Sequence, residues 1–208
     1  MKAAEDWLKF SSYLSLRYDR VMIWDEFQPI LQHVRAAVGN RDYWQVSENE
    51  LFDLYCIARL SGARKVVETG VGPGTSSFSI LSAMRMNSGR LYSIDLGKKY
   101  GEADERPVGF VVPDTLRSLW SLNIGSSRNL LPALCGELNG LDLFFHDSEH
   151  TYENVMFELN TVLPHVRTGS FIVIDNYDWT DAPKDFAENH GLNLLKTHDD
   201  MCIISGFR

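Results

Sequence analysis

The sequence predicts an α/β protein built on one doubly wound, mostly parallel sheet that closes with an antiparallel hairpin. Three observations predict it. Apolar strand-like runs alternate with helix-like segments, the order that places helices on both faces of a parallel sheet. The first run, Val66-Val67-Glu68-Thr69, passes directly into Gly70-Val71-Gly72-Pro73-Gly74, a strand, tight loop and helix start. Glycine there lets the backbone turn sharply and approach a ligand. Finally, the runs 192–197 and 201–206 flank Asp199-Asp200 and so pair as a hairpin.

The elements follow in order. Ser47-Glu48-Asn49-Glu50 forms a capping box, with Val46 and Leu51 at the positions of a hydrophobic staple, so a helix begins there and runs to about Leu60. After the glycine loop, a helix from about Ser76 to Met86 leads to a strand ending at Asp95. The polar segment of roughly 97–112 reads as a long loop. Loops of that length inside compact domains are often lids or binding loops, the alternative being a mobile surface insertion. Pro113-Asp114 restarts helix, 121–124 is a short third strand, and 141–146 is a fourth with both faces apolar. In 149–163, Tyr152, Val155, Met156, Leu159 and Leu163 share one helical face. The fifth strand is 171–174, and the hairpin brings the count to seven.

Composition narrows the class. With 208 residues, 44% of them hydrophobic, the chain can bury a full core: a domain over 46–208 with an N-terminal helical cap or extension over 1–45. A net charge of −8 lacks the basic footprint of a nucleic-acid binder and points to small neutral or cationic partners. The start has no secretory apolar core, and no run approaches the ~18 apolar residues of a membrane span, so a cytoplasmic protein without membrane contact is expected. Cys56, Cys135 and Cys202 share no metal-type spacing and are expected to be buried thiols. Trp7, Phe10, Tyr13, Tyr18, Trp24, Phe27, Tyr43 and Trp44 make the N-terminal segment densely aromatic. These rings either pack helices onto the sheet or cover a site or a homodimer contact.

Two acids bracket the glycine loop, Glu68 before it and Asp95 at the end of the next strand, where ribose hydroxyls can be bound. The dinucleotide fingerprint Gly-x-Gly-x-x-Gly fails here, because its last glycine falls on Thr75 and Glu68 would oppose a pyrophosphate. A ligand with a cationic portion fits better. The stretch resembles motif I of class I S-adenosylmethionine-dependent methyltransferases. Further on, 125–134 (Gly-Ser-Ser-Arg-Asn-Leu-Leu-Pro-Ala-Leu) is similar to the adenine-contacting turn of the catechol and caffeoyl-coenzyme-A type O-methyltransferases. Segments 142–152 and 171–176 resemble the fourth and fifth strand ends of that group, and of bacterial methyltransferases acting on sugars and antibiotic precursors. The resemblance implies a Rossmann-like fold and S-adenosylmethionine as cofactor. It assigns cofactor contacts to Glu68, Gly70, Gly72, Gly74, Ser76, Asp95, Ser126, Ser127 and Asp147. Ser126 and Ser127 have the alternative of forming the turn only.

If the strand order is the usual one, Asp147, Asp175 and Asn176 converge at neighbouring strand ends as hard oxygen ligands for Mg²⁺ or a similar divalent cation. Such a cation lowers the pKa of an acceptor hydroxyl and orients it. His150 falls where the related enzymes place a basic lysine and is read as the general base. The alternatives are local. Asp147 or Ser148 could cap the following helix, and Asp175-Asn176 could be a turn. His146, inside an apolar run, reads as a satisfied structural histidine. The expected activity is methyl transfer to a hydroxylated small molecule. A metal-independent N- or O-methyltransferase and a non-catalytic cofactor-binding protein are the alternatives.

Overall fold

The computed structural model describes residues 2–41, 43–97 and 106–208. Two helices open the chain, α1 (Lys2–Tyr13) and α2 (Arg20–Val38), followed by α3 (Glu48–Leu60), β1 (Lys65–Thr69), α4 (Thr75–Asn87) and β2 (Arg90–Asp95). Then come a 3₁₀ helix at Asp114–Leu119, β3 (Trp120–Ile124), α5 (Ser127–Leu138), β4 (Leu141–His146), α6 (Tyr152–Val162), β5 (Val166–Ile174), α7 (Ala182–His190), β6 (Asn193–Lys196) and β7 (Cys202–Ser205). The seven strands form one sheet in the order β3-β2-β1-β4-β5-β7-β6. All pairs are parallel except β7, which runs antiparallel to both β5 and β6. The expected hairpin is present, with its second strand inserted beside β5.

This order reverses at β1 and β4, so a crevice opens where their connections leave in opposite directions. Register fixes what faces it. Thr69 pairs with His146, His146 with Ile174 and Ile174 with Cys202, which sets Gly70, Asp147, Asp175 and the 197–201 turn along one rim.

Several expectations change in detail. The helix expected from 149 starts at Tyr152, because the hydroxyl of Thr151 accepts the N–H of Asn154 and caps it. Residues 147–150 are therefore loop, and neither Asp147 nor Ser148 is a cap. The segment after 113 winds as a 3₁₀ helix. Helix α7, not among the expected elements, buries Ala182, Pro183, Phe186 and Ala187 on one face. The expected loop of 97–112 is described only in part, since 98–105 lie outside the described residues. Its last part packs against the glycine loop: Gly109 N–H bonds Gly72 O at 2.9 Å, Val111 N–H bonds Pro73 O at 3.0 Å, and Val111 and Val112 are buried.

The N-terminal aromatics split. Trp7, Phe27 and Tyr43 are buried in the cluster that also holds Phe52, Phe145 and Ile203, so α1 and α2 share the core of the sheet. Tyr13 and Trp44 are exposed. All three cysteines are buried and free.

Candidate active site

A cavity of about 1090 Å³ runs along the rim, from the β2–β3 ends across β1 and β4 to β5 and the 197–201 turn. At its first end the glycine loop is fixed by the protein's own backbone. A Cβ on Gly70 (φ +83°) would lie 1.7 Å from the carbonyl oxygen of Asp147, and one on Gly74 (φ +90°) would lie 2.7 Å from Cα of Gly109. These two glycines permit close packing of the loop against β4 and the 106–112 segment. Asp95 takes up the loop's N–H groups: Oδ2 accepts from Val71 at 2.9 Å and Gly72 at 3.1 Å, and Oδ1 from Gly97 at 2.7 Å. It still lines the cavity with Gly70, Gly72, Ser76, Ser126 and Ser127. Ser126 also caps α5 by accepting the N–H of Asn129.

Glu68 and Gly74 do not line the cavity. Glu68 lies fully buried beneath the start of α4, where its carboxyl accepts hydroxyls from Ser76 (2.8 Å), Ser77 (2.6 Å) and Ser93 (2.6 Å). Burial pushes it up to about 7, against the three hydroxyls that favour the ionised form. The reading of Glu68 as a ligand-facing acid is therefore corrected: it anchors the loop from below.

At the centre, Asp147, His150 and Asp175 bring ligand atoms within 4.8 Å of one another. His150 Nε2 lies 3.7 Å from Asp147 Oδ1, and its ring packs edgewise against His146 and Trp179. Burial, then the Asp175 carboxylate, holds Asp147 well above the usual carboxylate range, and burial with the Asp200 charge pushes Asp175 up to about 7. Burial and the neighbouring His146 lower His150 to about 4. Asp175 Oδ1 and His150 Nδ1 are buried with no hydrogen-bond partner among the described residues. Two carboxyls this close call for a proton or a cation between them.

The 147–150 loop is tied to a buried hub that the sequence did not reveal. Glu158 of α6 accepts from Thr69 Oγ1 (2.6 Å) and Ser148 Oγ (2.8 Å) and pairs with His146 Nδ1 (2.7 Å). Burial alone would raise Glu158, yet His146 foremost, with Thr69 among the hydroxyl donors, lowers it to about 2. His146 is thus bonded on one side only, and its Nε2 has no partner among the described residues.

At the far end, Asn176 (φ +48°) donates an Nδ2–H to Asp200 Oδ2 at 2.8 Å, which leaves its amide oxygen available to accept or to ligate. Glu50, the capping-box acid, is buried and accepts the N–H groups of Ser47 (2.7 Å) and Asp200 (3.3 Å). Burial, the contact with Asp200 and the Asp175 charge push it up to about 8. Asp199 accepts Ser47 Oγ at 2.6 Å. Trp44 and Trp179 complete this end. Glu50 and Asp199-Asp200 were visible in the sequence only as a cap and a turn.

A switch-point cavity with a glycine loop on one side and an acid-rich mouth on the other, on a 3-2-1-4-5-7-6 sheet, defines a class I S-adenosylmethionine-dependent methyltransferase. The model of a methyltransferase-domain family matches residues 67–177, more than half of the chain, and the protein belongs to that family. Tapetum-specific methyltransferase 1 of Arabidopsis thaliana is 27% identical over 165 residues, covering 72% of this chain. The chain spans 64% of the length of that relative. Among solved structures, cofactor-bound Rv0187 from MTB superposes with a TM-score of 0.64 at 21% identity, covering 87% of this chain and 89% of the other. The O-methyltransferase TomG from Streptomyces achromogenes, involved in tomaymycin synthesis and solved with S-adenosylmethionine, gives 0.59 at 20% identity over 96% and 95%. Both likenesses are of fold.

Proposed function

We propose that the protein methylates a hydroxyl of a small molecule, with a divalent cation held by Asp147, Asp175 and Asn176. The observation that carries this reading is the buried, unpartnered Oδ1 of Asp175 beside a second carboxyl at the cavity's centre. Hard oxygen donors around an unmet negative atom fit Mg²⁺ or a similar ion. The O-methyltransferase named above supports the oxygen acceptor.

S-adenosylmethionine, when bound, supplies the methyl group on a positively charged sulfur. The divalent cation, when bound, stabilises the negative charge that develops on an acceptor oxygen. The rest falls to the chain. Gly70, Gly72, Ser76, Asp95, Ser126, Ser127 and Asp147 line the cofactor end, and Asp95, which accepts three loop N–H groups, keeps one lone pair for a ribose hydroxyl. His150, which lines the cavity with Nε2 3.7 Å from Asp147 Oδ1, is the residue assigned to accept the acceptor's proton, although burial lowers it to about 4 and so weakens it as a base. Trp179 packs on its ring and limits where that ring can turn. Alignment of reactants in such a cleft supplies on the order of 7–11 kcal/mol of the barrier.

Calorimetry and turnover with and without chelator test this reading. Excess chelator should abolish transfer and leave cofactor binding in place, whereas transfer persisting in chelator removes the metal from the mechanism. In the metal-replete assay His150→Ala should lower turnover by ~10²–10⁴ and barely change cofactor affinity. A loss below threefold, with chemistry rate-limiting, moves the base elsewhere.

A further inference from the structure

The β5–β7–β6 end of the cavity gathers acids beyond those read as metal ligands. Beyond Asp147 and Asp175, it is lined by Glu50, Asp199 and Asp200. Oxygens of Glu50, Asp175 and Asp200 lie within 4.8 Å of one another. Among the described lining residues the sole lysine or arginine is Arg128, in the first turn of α5 at the opposite end. Asp175 is 6% exposed, and its Oδ1 reaches no partner in this group.

A second observation sets the chemistry of what is missing. Trp44 and Trp179 line the same cavity with 76% and 66% of their surface exposed. Trp44 lies three residues before Ser47, and Trp179 donates its backbone N–H to the carbonyl of Asn176, so open indoles and carboxyls share this cavity, a combination that an inorganic ion uses only in part because it takes oxygens and leaves rings uncovered. An organic ammonium uses both, through charge-assisted hydrogen bonds to the carboxylates and cation–π contact with the indole faces. The backbone N–H groups of Ser47 and Asp200 hold Glu50, and the amide of Asn176 holds Asp200, so neither carboxylate must reorder to receive it.

We propose that Glu50 and Asp200, flanked by Trp44 and Trp179, form a recognition site for an ammonium group, so that the acceptor is a hydroxylated amine. The proposal rests on the reading of this cavity as the acceptor site. The ammonium lies at the β7–β6 end while the reacting hydroxyl lies at Asp147 and His150, and the distance between them selects for amines of matching length.

The test uses the protein loaded with S-adenosylhomocysteine and Mg²⁺, titrated calorimetrically with tyramine and with tyrosol. The two probes share a phenol and differ in ending on an ammonium or a hydroxyl. Tyramine should bind about tenfold tighter, the worth of one charge-assisted contact. That ratio should fall toward one in the Glu50→Gln/Asp200→Asn double variant, in which glutamine can still accept the N–H of Ser47 in the capping box. Asp200→Asn alone carries the test if the double variant does not fold. Equal affinities, a ratio that survives the substitutions, or failure of both probes to bind overturns the proposal. So does a Mn²⁺ titration by electron paramagnetic resonance that finds two ions per chain, since the second carboxylate group then holds metal. Tyramine bound as expected yet never methylated by the S-adenosylmethionine-loaded enzyme breaks the hydroxyl reading alone.

Discussion

The two ends of the cavity are built in opposite ways. At the β1–β3 end the chain satisfies itself locally: Asp95 grips the backbone of Val71 and Gly72, 24 and 23 residues before it, and Glu68 is held by Ser76 and Ser77, eight and nine residues after it. The β5–β6 end is assembled from distant pieces. Ser47 reaches Asp199 across 152 residues, Glu50 meets Asp200 across 150, and His198 meets Asp53 across 145. A locally built end can keep its form while the far end varies, and the far end depends on α1 and α3 staying docked. That division suits a common cofactor and a particular acceptor.

The halves meet at Gly70, and breaking that seam should have the largest effect. Gly70→Ala would place a methyl group 1.7 Å from the Asp147 carbonyl oxygen at a φ of +83°. Overpacking a close backbone approach and forcing a left-handed alanine together cost on the order of 3 kcal/mol. Urea unfolding should register that loss, and cofactor and metal binding should fall together in whatever remains folded. A variant of unchanged stability would mean that β1 and β4 can part without cost.

Asp95→Ala should separate the halves. It frees the N–H groups of Val71, Gly72 and Gly97 and removes an acceptor from the cofactor end, so S-adenosylmethionine affinity should weaken by roughly 1.5–3 kcal/mol. Mn²⁺ affinity, read in the absence of cofactor, should stay near that of the parent. Equal loss of both would show that the glycine loop also shapes the proposed metal site.

The same contrast explains what the sequence disclosed. The strand ends that carry the glycine loop, Asp95 and Ser126-Ser127 were legible from apolar runs, whereas a cofactor role for Ser126 and Ser127 came only from the resemblance. Asp147, Asp175 and Asn176 were legible for the same reason, and the structure lines all three along the cavity. Glu68 was misplaced because period and spacing do not say which way a residue at the end of a fully buried strand faces. Here it faces the three serines and not the mouth. Glu50 and Asp200 carried real signals, a capping box and an acidic turn, but a local explanation already accounted for each. Only the β7 insertion beside β5 brings them within reach of Asp175. Glu158 and Thr151 were hidden by a helix that starts three residues later than its acids suggest.

The smallest predicted effect concerns the clamp on the far half. His198, in the turn before β7, pairs through Nδ1 with Asp53 of α3 at 2.6 Å and through Nε2 with Asp6 of α1 at 3.3 Å. Asp53 also accepts the indole N–H of Trp7 at 2.7 Å, so α1 is tied to the turn that carries Asp199 and Asp200. Burial alone would lower His198, but Asp53 and Asp6, the charged groups facing it, raise it above its ordinary value. A raised folded-state pKa contributes stability that is fully present below ~6.5 and is lost as pH rises through the folded value. Docking of α1 should therefore weaken on the alkaline side, with a slope no steeper than ~1.4 kcal/mol per pH unit, the limit for one proton. Hydrogen exchange of the α1 amides between about pH 6 and 9, corrected for intrinsic rates, reads this directly, with the glycine-loop amides as the internal control. His198→Gln should flatten the slope while the control amides stay as they were. A slope that persists in that variant would assign the titration to another group and leave His198 as a packed ring with no hold on the acceptor end.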